Sequence, residues 1–156
     1  MIKFKKFCIS LAALLAFASQ CFPQSTKDEP KDQRREKLRM AVQEICPMTG
    51  EQLKSQSKPL KWTDPKTKET LYVCCEECMK SEPDKKHLET IRSNFAKAQA
   101  HCLVMTDNEI TAESKIGVVE GHAVFVCCPP CIKKMQSAPE KFLKKLDDLY
   151  EAHLRK

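Results

Sequence analysis

Cysteine is the residue type in this sequence with the clearest chemical potential. The chain of 156 residues contains ten cysteines, against three glycines and one tryptophan. Eight of them form two sets of four in the same internal order: Cys46, Cys74, Cys75 and Cys78, then Cys102, Cys127, Cys128 and Cys131. Four thiolates are a tetrahedral ligand set for Zn²⁺, and soft sulfur ligands also suit Cu(I). The pattern predicts one such ion per set, with all eight cysteines as candidate ligands.

The adjacent cysteines in each set leave the ligand number open. Neighbouring residues on a strand point to opposite faces, so both can ligate only where the strand has already ended. Three sulfurs per site are therefore an alternative to four. Met48 and Met105 could add a thioether to a Cu(I) site, although a packed core methionine is the simpler interpretation. His101, beside a cysteine, is the one histidine that merits a test as a ligand.

Two other uses of these cysteines stay open at this point. In an oxidising compartment eight thiols can pair as disulfides, which small secreted units often use as staples. The crowding of three cysteines into five residues of each copy favours a metal instead. Both sets also contain a C-x-x-C motif, which serves thiol–disulfide exchange in other proteins. Each unit is too short for the βαβ-containing scaffold of that chemistry, so we expect a binding protein and no enzyme.

Each cysteine set belongs to a longer unit that occurs twice. Both copies run from a first cysteine to Val-Cys-Cys-x-x-Cys and on to Ser-x-Pro-acid, at residues 81–84 and 137–140. Between its first cysteine and its cysteine pair the second copy is three residues shorter. Order-preserving similarity of this kind indicates a duplicated supersecondary unit. The expected modules are residues 38–100 and 101–156.

The pattern within each copy predicts a β-hairpin followed by helices, and hence an α+β fold. In the second copy, strand-forming residues 116–119 and 122–126 flank Glu120 and Gly121, a two-residue turn whose glycine can adopt positive φ. The first copy has a wider loop at 64–67, between strand-forming residues 60–62 and 70–73. These hairpins would carry the cysteine pairs at their ends.

Apolar periodicity predicts the helices. A short amphipathic helix is expected up to Ile45, beginning near Leu38. Ser81 and Ser137 each precede an acid by three residues, which predicts a capping box at a helix start. The helices that follow have apolar stripes that we assign to the core: Leu88, Ile91 and Phe95 in the first copy, and Phe142, Leu143, Leu146, Leu149, Tyr150 and His153 or Leu154 in the second.

The N-terminal residues predict export. Residues 1–6 are basic, residues 7–18 are mainly apolar, and Ala16-Phe17-Ala18 is typical of a signal-peptide cleavage site. The apolar run is too short to span a membrane as a mature anchor. We expect cleavage near Ala18 and a periplasmic or secreted protein, with lipid modification at Cys21 as the less favoured alternative. Residues 19–37 are polar and predict an unfolded linker.

Charge and composition exclude several classes of function. The net charge is +6, and three of the lysines stand within the first six residues. The remainder is too weakly basic for a nucleic-acid-binding protein. No glycine-rich phosphate-binding loop is present in the sequence.

The motifs resemble a known family. Cys-Pro-x-x-Gly at residues 46–50, a strand ending in Val-Cys-Cys-x-x-Cys, a helix and x-Pro-[Asp/Glu] are similar to the TRASH/YHS-like heavy-metal-binding domains. The similarity runs from Cys46 to about Ile91 and from Cys102 to about Leu149. The second copy departs from the pattern at residues 103–105, where the family has Pro and a nearby Gly.

The resemblance implies two tandem, treble-clef-like modules that bind soft metal through cysteine. Its usual spacing would select Cys74 with Cys78 and Cys127 with Cys131, whereas the alternative spacing selects Cys75 and Cys128. The expected function is buffering, delivery or sensing of Zn²⁺ or Cu(I), one ion per module. The expected partners are the metal ion and an envelope metal-transport or efflux protein.

Overall fold

The computed structural model describes residues 30–56 and 58–156 and shows a mixed α and β fold. In chain order the elements are α1 (Lys31–Gln43), β1 (Leu60–Thr63), β2 (Thr70–Val73), α2 (Lys85–Gln99), β3 (Lys115–Val119), β4 (His122–Val126), α3 (Pro129–Gln136) and α4 (Pro139–Leu154). Short 3₁₀ helices occupy Leu53–Ser55 and Glu77–Lys80. The predicted signal segment, Cys8 and Cys21 lie outside the described residues. Among the described helices, none has the length and hydropathy that crossing a membrane requires.

Both predicted hairpins are present, each as a separate two-stranded antiparallel sheet. Leu60 lies opposite Val73 in the first, and Lys115 lies opposite Val126 in the second. The turn residues Glu120 and Gly121 both have positive φ, 49° and 78°, as a tight two-residue hairpin turn requires. The tip of the second hairpin also contacts the first, because the Thr70 N–H donates to the Gly121 carbonyl at 2.9 Å.

The prediction of an unfolded linker over residues 19–37 is wrong for residues 31–37, which belong to helix α1. Residues 19–29 of that segment lie outside the described residues. The buried face of α1 includes arginine side chains. The low apolar content of residues 31–37 therefore did not indicate that this segment folds. Arg35 is 6% exposed and pairs with Glu140 and Asp147 of α4 at 3.1 and 3.0 Å. Arg39 is 1% exposed and stacks over the Phe95 ring of α2 at 4.9 Å. These long-range partners stabilise the buried guanidinium groups.

The predicted capping boxes are wrong. Helix α2 begins after Asp84, whose carboxylate accepts the backbone N–H groups of Lys86 and His87. The Ser81 hydroxyl instead donates to the Glu77 carbonyl of the preceding 3₁₀ helix. Ser137 likewise donates to the carbonyl of Lys134, and α4 begins at Pro139 without a side-chain cap. Each serine therefore hydrogen-bonds to the end of the preceding short helix. Pro139 is the first residue of α4, where its fixed φ favours the helical conformation.

A single main core unites the two copies. It contains Val42 of α1, Phe95 of α2, Phe125 of β4 and Tyr150 of α4, and the rings of Phe95 and Tyr150 stack with centroids 5.9 Å apart. The predicted core stripes are confirmed for most of their members: Ile91, Phe95, Phe142, Leu143, Leu146 and Tyr150 are buried. Leu88, Leu149 and His153 are only partly buried, and Leu154 is exposed. A smaller cluster surrounds the first cysteine set: Cys46, Leu53, Tyr72, Val73, Cys74 and Cys78.

Candidate metal centres

The first cysteine set converges on one point. The sulfurs of Cys46, Cys74 and Cys78 lie within 4.8 Å of one another, and all three residues are buried. Cys78 Sγ is 3.8 Å from Cys46 Sγ and 3.5 Å from Cys74 Sγ. The partly exposed Cys75 adds a fourth sulfur beside this trio, 3.7 Å from Cys74 and 3.4 Å from Cys78.

The second set repeats the arrangement. The sulfurs of Cys102, Cys127 and Cys131 lie within 4.8 Å of one another, with Cys127 Sγ 3.9 Å from Cys131 Sγ. Cys102 and Cys131 are buried, whereas Cys127 and Cys128 are partly exposed. The Cys128 sulfur approaches Cys131 to 2.9 Å. All eight cysteines of the two sets are free thiols.

These separations match those of sulfurs around a metal ion. Zn–S bonds of about 2.3 Å place tetrahedral sulfurs about 3.8 Å apart, and planar three-coordinate sulfurs about 4.0 Å apart. The measured Sγ–Sγ distances of Cys46 and Cys74 to Cys78 are 3.8 and 3.5 Å, and that of Cys127 to Cys131 is 3.9 Å. Both trios can therefore hold a metal ion without large movement of the backbone.

The trios place together the cysteines four residues apart, Cys74 with Cys78 and Cys127 with Cys131. Cys75 and Cys128 are nevertheless beside the same sulfurs. The opposite-face argument does not apply to these pairs, because β2 ends at Val73 and β4 ends at Val126. The second cysteine of each pair is thus placed to act as a peripheral fourth sulfur.

A buried glutamine aligns the first knuckle, the turn that carries Cys46, with its hairpin. Gln43 ends α1, and its Nε2 donates to the carbonyls of Ile45 and Tyr72 at 2.9 and 2.7 Å. Its Oε1 accepts the Tyr72 N–H at 2.8 Å. Glu44 then adopts φ of 64°, which ends the helix and directs the chain towards Cys46.

Gln99 does the same for the second knuckle, the turn that carries Cys102. Its Nε2 donates to the carbonyls of His101 and Phe125 at 3.0 and 2.7 Å, and its Oε1 accepts the Phe125 N–H at 2.9 Å. Ala100 has φ of 58°, as Glu44 does in the first copy. The duplicated unit therefore includes the helix before each knuckle. A Gln-x-x-Cys signal stands in both copies of the sequence, and it is the positioning feature that the sequence analysis missed.

Backbone amides stabilise the thiolate of the first cysteine in each set. Burial opposes ionisation of Cys46, but hydrogen bonds from the backbone N–H groups of Thr49, Cys74 and Met48 outweigh it and lower the pKa to about 7. Burial opposes ionisation of Cys102 as well, and the N–H groups of Cys127, Met105 and Val104 lower its pKa to about 7. The second knuckle forms this donor set without the Pro and Gly of the first. Both cysteines are therefore suited to metal binding near neutral pH.

The remaining buried sulfurs resist ionisation in the absence of a cation. Burial raises the pKa of Cys78, and the adjacent sulfurs of Cys75, Cys74 and Cys46 raise it further. Burial and the neighbouring sulfurs of its own set raise the pKa of Cys131 in the same way. Thiolates this close together repel one another, and a bound cation reverses that penalty. The clusters thus have the electrostatic character of cation sites made of soft donors.

The residues around the two knuckles differ. Gly50 has φ of 73° and donates its N–H to the Cys46 carbonyl at 2.9 Å, and a Cβ there would lie 2.6 Å from His87 Nε2. Met48 packs against the first cluster, whereas Met105 is exposed and contacts Asn108 Nδ2 at 3.9 Å. His101 is exposed, and the group of mutually close donors around Cys102 does not include it.

Comparisons with known proteins find no matching family model, no similar curated protein and no similar solved structure. The resemblance to the TRASH/YHS-like domains stays a prediction. The two sulfur clusters are the features from which a function can be argued.

Proposed function

We propose that each copy binds one soft metal ion, Zn²⁺ or Cu(I), through its cysteine sulfurs. The observation that carries this proposal is the repetition of one three-sulfur arrangement at Cys46, Cys74 and Cys78 and at Cys102, Cys127 and Cys131. A buried glutamine, a residue with positive φ and three amide donors support each arrangement in the same way.

The donor types favour a soft ion. Each group of mutually close ligand atoms consists of cysteine sulfur, with no carboxylate or imidazole among its members. Hard cations such as Ca²⁺ and Mg²⁺ take oxygen ligands, whereas thiolate favours Zn²⁺ and Cu(I). For tetrahedral Zn²⁺, Cys75 and Cys128 are the nearest candidates for the fourth ligand, while a three-coordinate ion needs the trios alone.

The proposed physiological role is buffering, delivery or sensing of heavy metal outside the cytoplasm. Partial exposure of Cys75, Cys127 and Cys128 supports exchange of the metal with the ligands of another protein. Export rests on the predicted signal in residues 1–18, and an envelope transport or efflux protein is the proposed partner. We assign the chain a binding role, so catalytic reduction of insulin disulfides by the reduced protein would contradict the proposal.

Native mass spectrometry tests the metal binding directly. The reduced full chain, prepared without oxygen and offered Zn²⁺ or Cu(I), should take up two ions. Cys75→Ser/Cys78→Ser and Cys128→Ser/Cys131→Ser leave two sulfurs at one site and should each take up one ion, and the variant that combines all four changes should take up none. Cys21→Ser changes a cysteine outside both sets and should still take up two. Absence of uptake by the reduced chain, with the eight thiols of the purified protein found paired, would favour a disulfide scaffold instead.

A second measurement resolves the number of sulfurs at each site. Cys75→Ser and Cys128→Ser keep both trios but remove the peripheral sulfur. Under a four-sulfur arrangement both variants should bind Zn²⁺ at least tenfold more weakly, because Zn²⁺ loses a thiolate ligand. Unchanged affinity for Zn²⁺, measured by competition with a chromophoric chelator, would assign binding to the trios alone.

A further inference from the structure

In each cluster, the cysteine outside the trio lies against one particular member of the trio. Cys75 Sγ is 3.4 Å from Cys78 Sγ, and Cys128 Sγ is 2.9 Å from Cys131 Sγ. These are the shortest of the sulfur–sulfur hydrogen bonds in their clusters. The outer sulfur of each pair is partly exposed, whereas Cys78 and Cys131 are each 3% exposed. Each pair thus joins an accessible thiol to a buried one that the metal site needs.

We propose that Cys75 with Cys78 and Cys128 with Cys131 are oxidisable pairs, whose disulfides release Zn²⁺ bound by the trios. The inference rests on the proposed metal-binding function, which it extends to regulation of the same sites. A disulfide at either pair removes Cys78 or Cys131 from its trio. Only two trio sulfurs then remain, Cys46 with Cys74 or Cys102 with Cys127, and two ligands are fewer than Zn²⁺ requires.

A peroxide is a sufficient oxidant for the reaction. The accessible sulfur of Cys75 or Cys128 attacks one peroxide oxygen, the O–O bond breaks, and a sulfenic acid and one water form. In the loaded protein the thiolate of Cys78 or Cys131 then attacks the sulfenic sulfur, the S–S bond forms, and the hydroxide that leaves takes a proton from solvent to give a second water. The two sulfurs lose two electrons in total, hydrogen peroxide is reduced to two molecules of water, and the buried sulfur is no longer available to the metal. The partial exposure of the outer sulfurs allows this sequence to begin at the surface.

The geometry favours the second pair over the first. A disulfide bond is about 2.05 Å long, so the sulfurs of Cys128 and Cys131 must approach by about 0.9 Å, and those of Cys75 and Cys78 by about 1.4 Å. Pro129 and Pro130 lie between the cysteines of the second pair and fix φ in the first turn of α3. In the first pair, Cys78 lies within the four-residue 3₁₀ helix at Glu77–Lys80 and Cys75 precedes that helix. We therefore expect the disulfide of the second copy to form first.

The test exposes the reduced, Zn²⁺-loaded full chain to hydrogen peroxide in the presence of a chromophoric zinc chelator. Two ions should be released, and peptide mapping should find Cys75 joined to Cys78 and Cys128 joined to Cys131, the latter earlier. A thiol reductant should restore uptake of two ions. The double variant Cys75→Ser/Cys128→Ser retains both trios, and peroxide should accelerate its release of Zn²⁺ at least tenfold less than that of the unmodified chain, each compared with the same sample without peroxide. Cys21→Ser should release it at the unmodified rate.

Two outcomes would overturn the inference while leaving the metal-binding proposal intact. One is equal acceleration of metal release by peroxide in the double variant and in the unmodified chain, and the other is a different dominant connectivity in the oxidised chain. Failure of the reduced chain to bind Zn²⁺ would instead overturn the proposed function, and with it the release step. The disulfides can be judged separately in that case, because oxidised glutathione added to the metal-free chain should still produce the same two pairs.

Discussion

The two sulfur clusters have matching donors but different surroundings. The first belongs to a small cluster with Leu53, Tyr72 and Val73, apart from the main core. In the second, Cys102 and Cys131 are themselves members of the main core, together with residues of α1, α2 and α4. A metal at the first site would therefore stabilise mainly its own knuckle and hairpin. A metal at the second site would instead stabilise the main core and so raise the global free energy of unfolding.

The two knuckles also differ in how clearly the sequence indicates them. The first knuckle needs Gly50 in a left-handed conformation, with a close approach to His87 that a Cβ would block. The second lacks both Pro and Gly, yet directs the same type of amide donors at Cys102. Its Leu103 is buried in the main core, which holds the turn in place from outside. The first knuckle, which lies apart from the main core, has the clear Pro and Gly sequence motif. The second knuckle, which packs into the main core, lacks that motif.

Replacing the equivalent cysteines Cys78 and Cys131 should give the largest difference between the copies. Each alanine variant weakens one metal site, and complete loss of that metal costs about 4 kcal/mol when free metal is 1,000 times the dissociation constant. In Cys131→Ala this loss should lower the global free energy of unfolding in the presence of Zn²⁺. In Cys78→Ala it should appear mainly as faster amide exchange in β1, β2 and the first knuckle.

Urea unfolding together with hydrogen exchange measures both effects in the same samples. Cys21→Ser serves as the control and should match the unmodified chain in both. Equal losses of global stability in the two alanine variants would contradict the contrast in surroundings. Such a result would show that the smaller cluster unfolds together with the main core.

Replacing the buried glutamines Gln43 and Gln99 should have similar effects on stability in the two copies. Gln43→Leu and Gln99→Leu each leave two carbonyls and one N–H without their side-chain partner. We expect each to cost about 2 to 4 kcal/mol of unfolding free energy. Each should also weaken metal binding at its own knuckle and leave the other site occupied.

Calorimetric titration of Zn²⁺ into each variant would assign the weakened site. Gln136→Leu is a matched control at an exposed glutamine, and it should change stability by no more than about 0.5 kcal/mol. Loss of both sites in either variant would mean that the copies do not fold their knuckles independently.

Local patterns predicted the hairpins and the core helices, while long-range contacts account for what was missed. Runs of β-branched and aromatic residues and the Glu120-Gly121 turn are properties of adjacent residues, so they are visible in the sequence. Burial of Arg35 depends on Glu140 and Asp147, more than a hundred residues away, and no local pattern indicates it. Cysteine spacing predicted which cysteines lie close together. The sequence left open whether Cys75 and Cys128 lie on the same side as their neighbours, because that depends on the residue at which each strand ends.

The smallest effect we expect comes from Glu69 and His122, which occupy equivalent positions, each three residues before the strand residue that pairs with the glutamine. Burial raises the pKa of Glu69, against the opposing charges of Arg39 and Arg92. Burial lowers the pKa of His122 to about 3, and nearby cations lower it further: Arg39, Arg35 and Lys61. His122 and these three cations line one cavity, which four acidic side chains also line: Asp32, Glu36, Glu120 and Glu140.

Both residues favour the neutral form, so the two copies should respond to pH with opposite sign. The His122 contribution is full above its ordinary pKa of 6.5 and is lost as pH falls towards 3. The Glu69 contribution is full below its ordinary pKa of 4.5 and is lost as pH rises through its raised folded value.

Urea unfolding of the reduced, metal-free chain between about pH 4 and 6.5 measures both contributions while most thiols stay protonated. His122→Gln should reduce the loss of stability on acidification, and Glu69→Gln should gain stability relative to the unmodified chain as pH rises. Identical pH slopes in the two variants would show that these equivalent positions do not titrate as their burial implies.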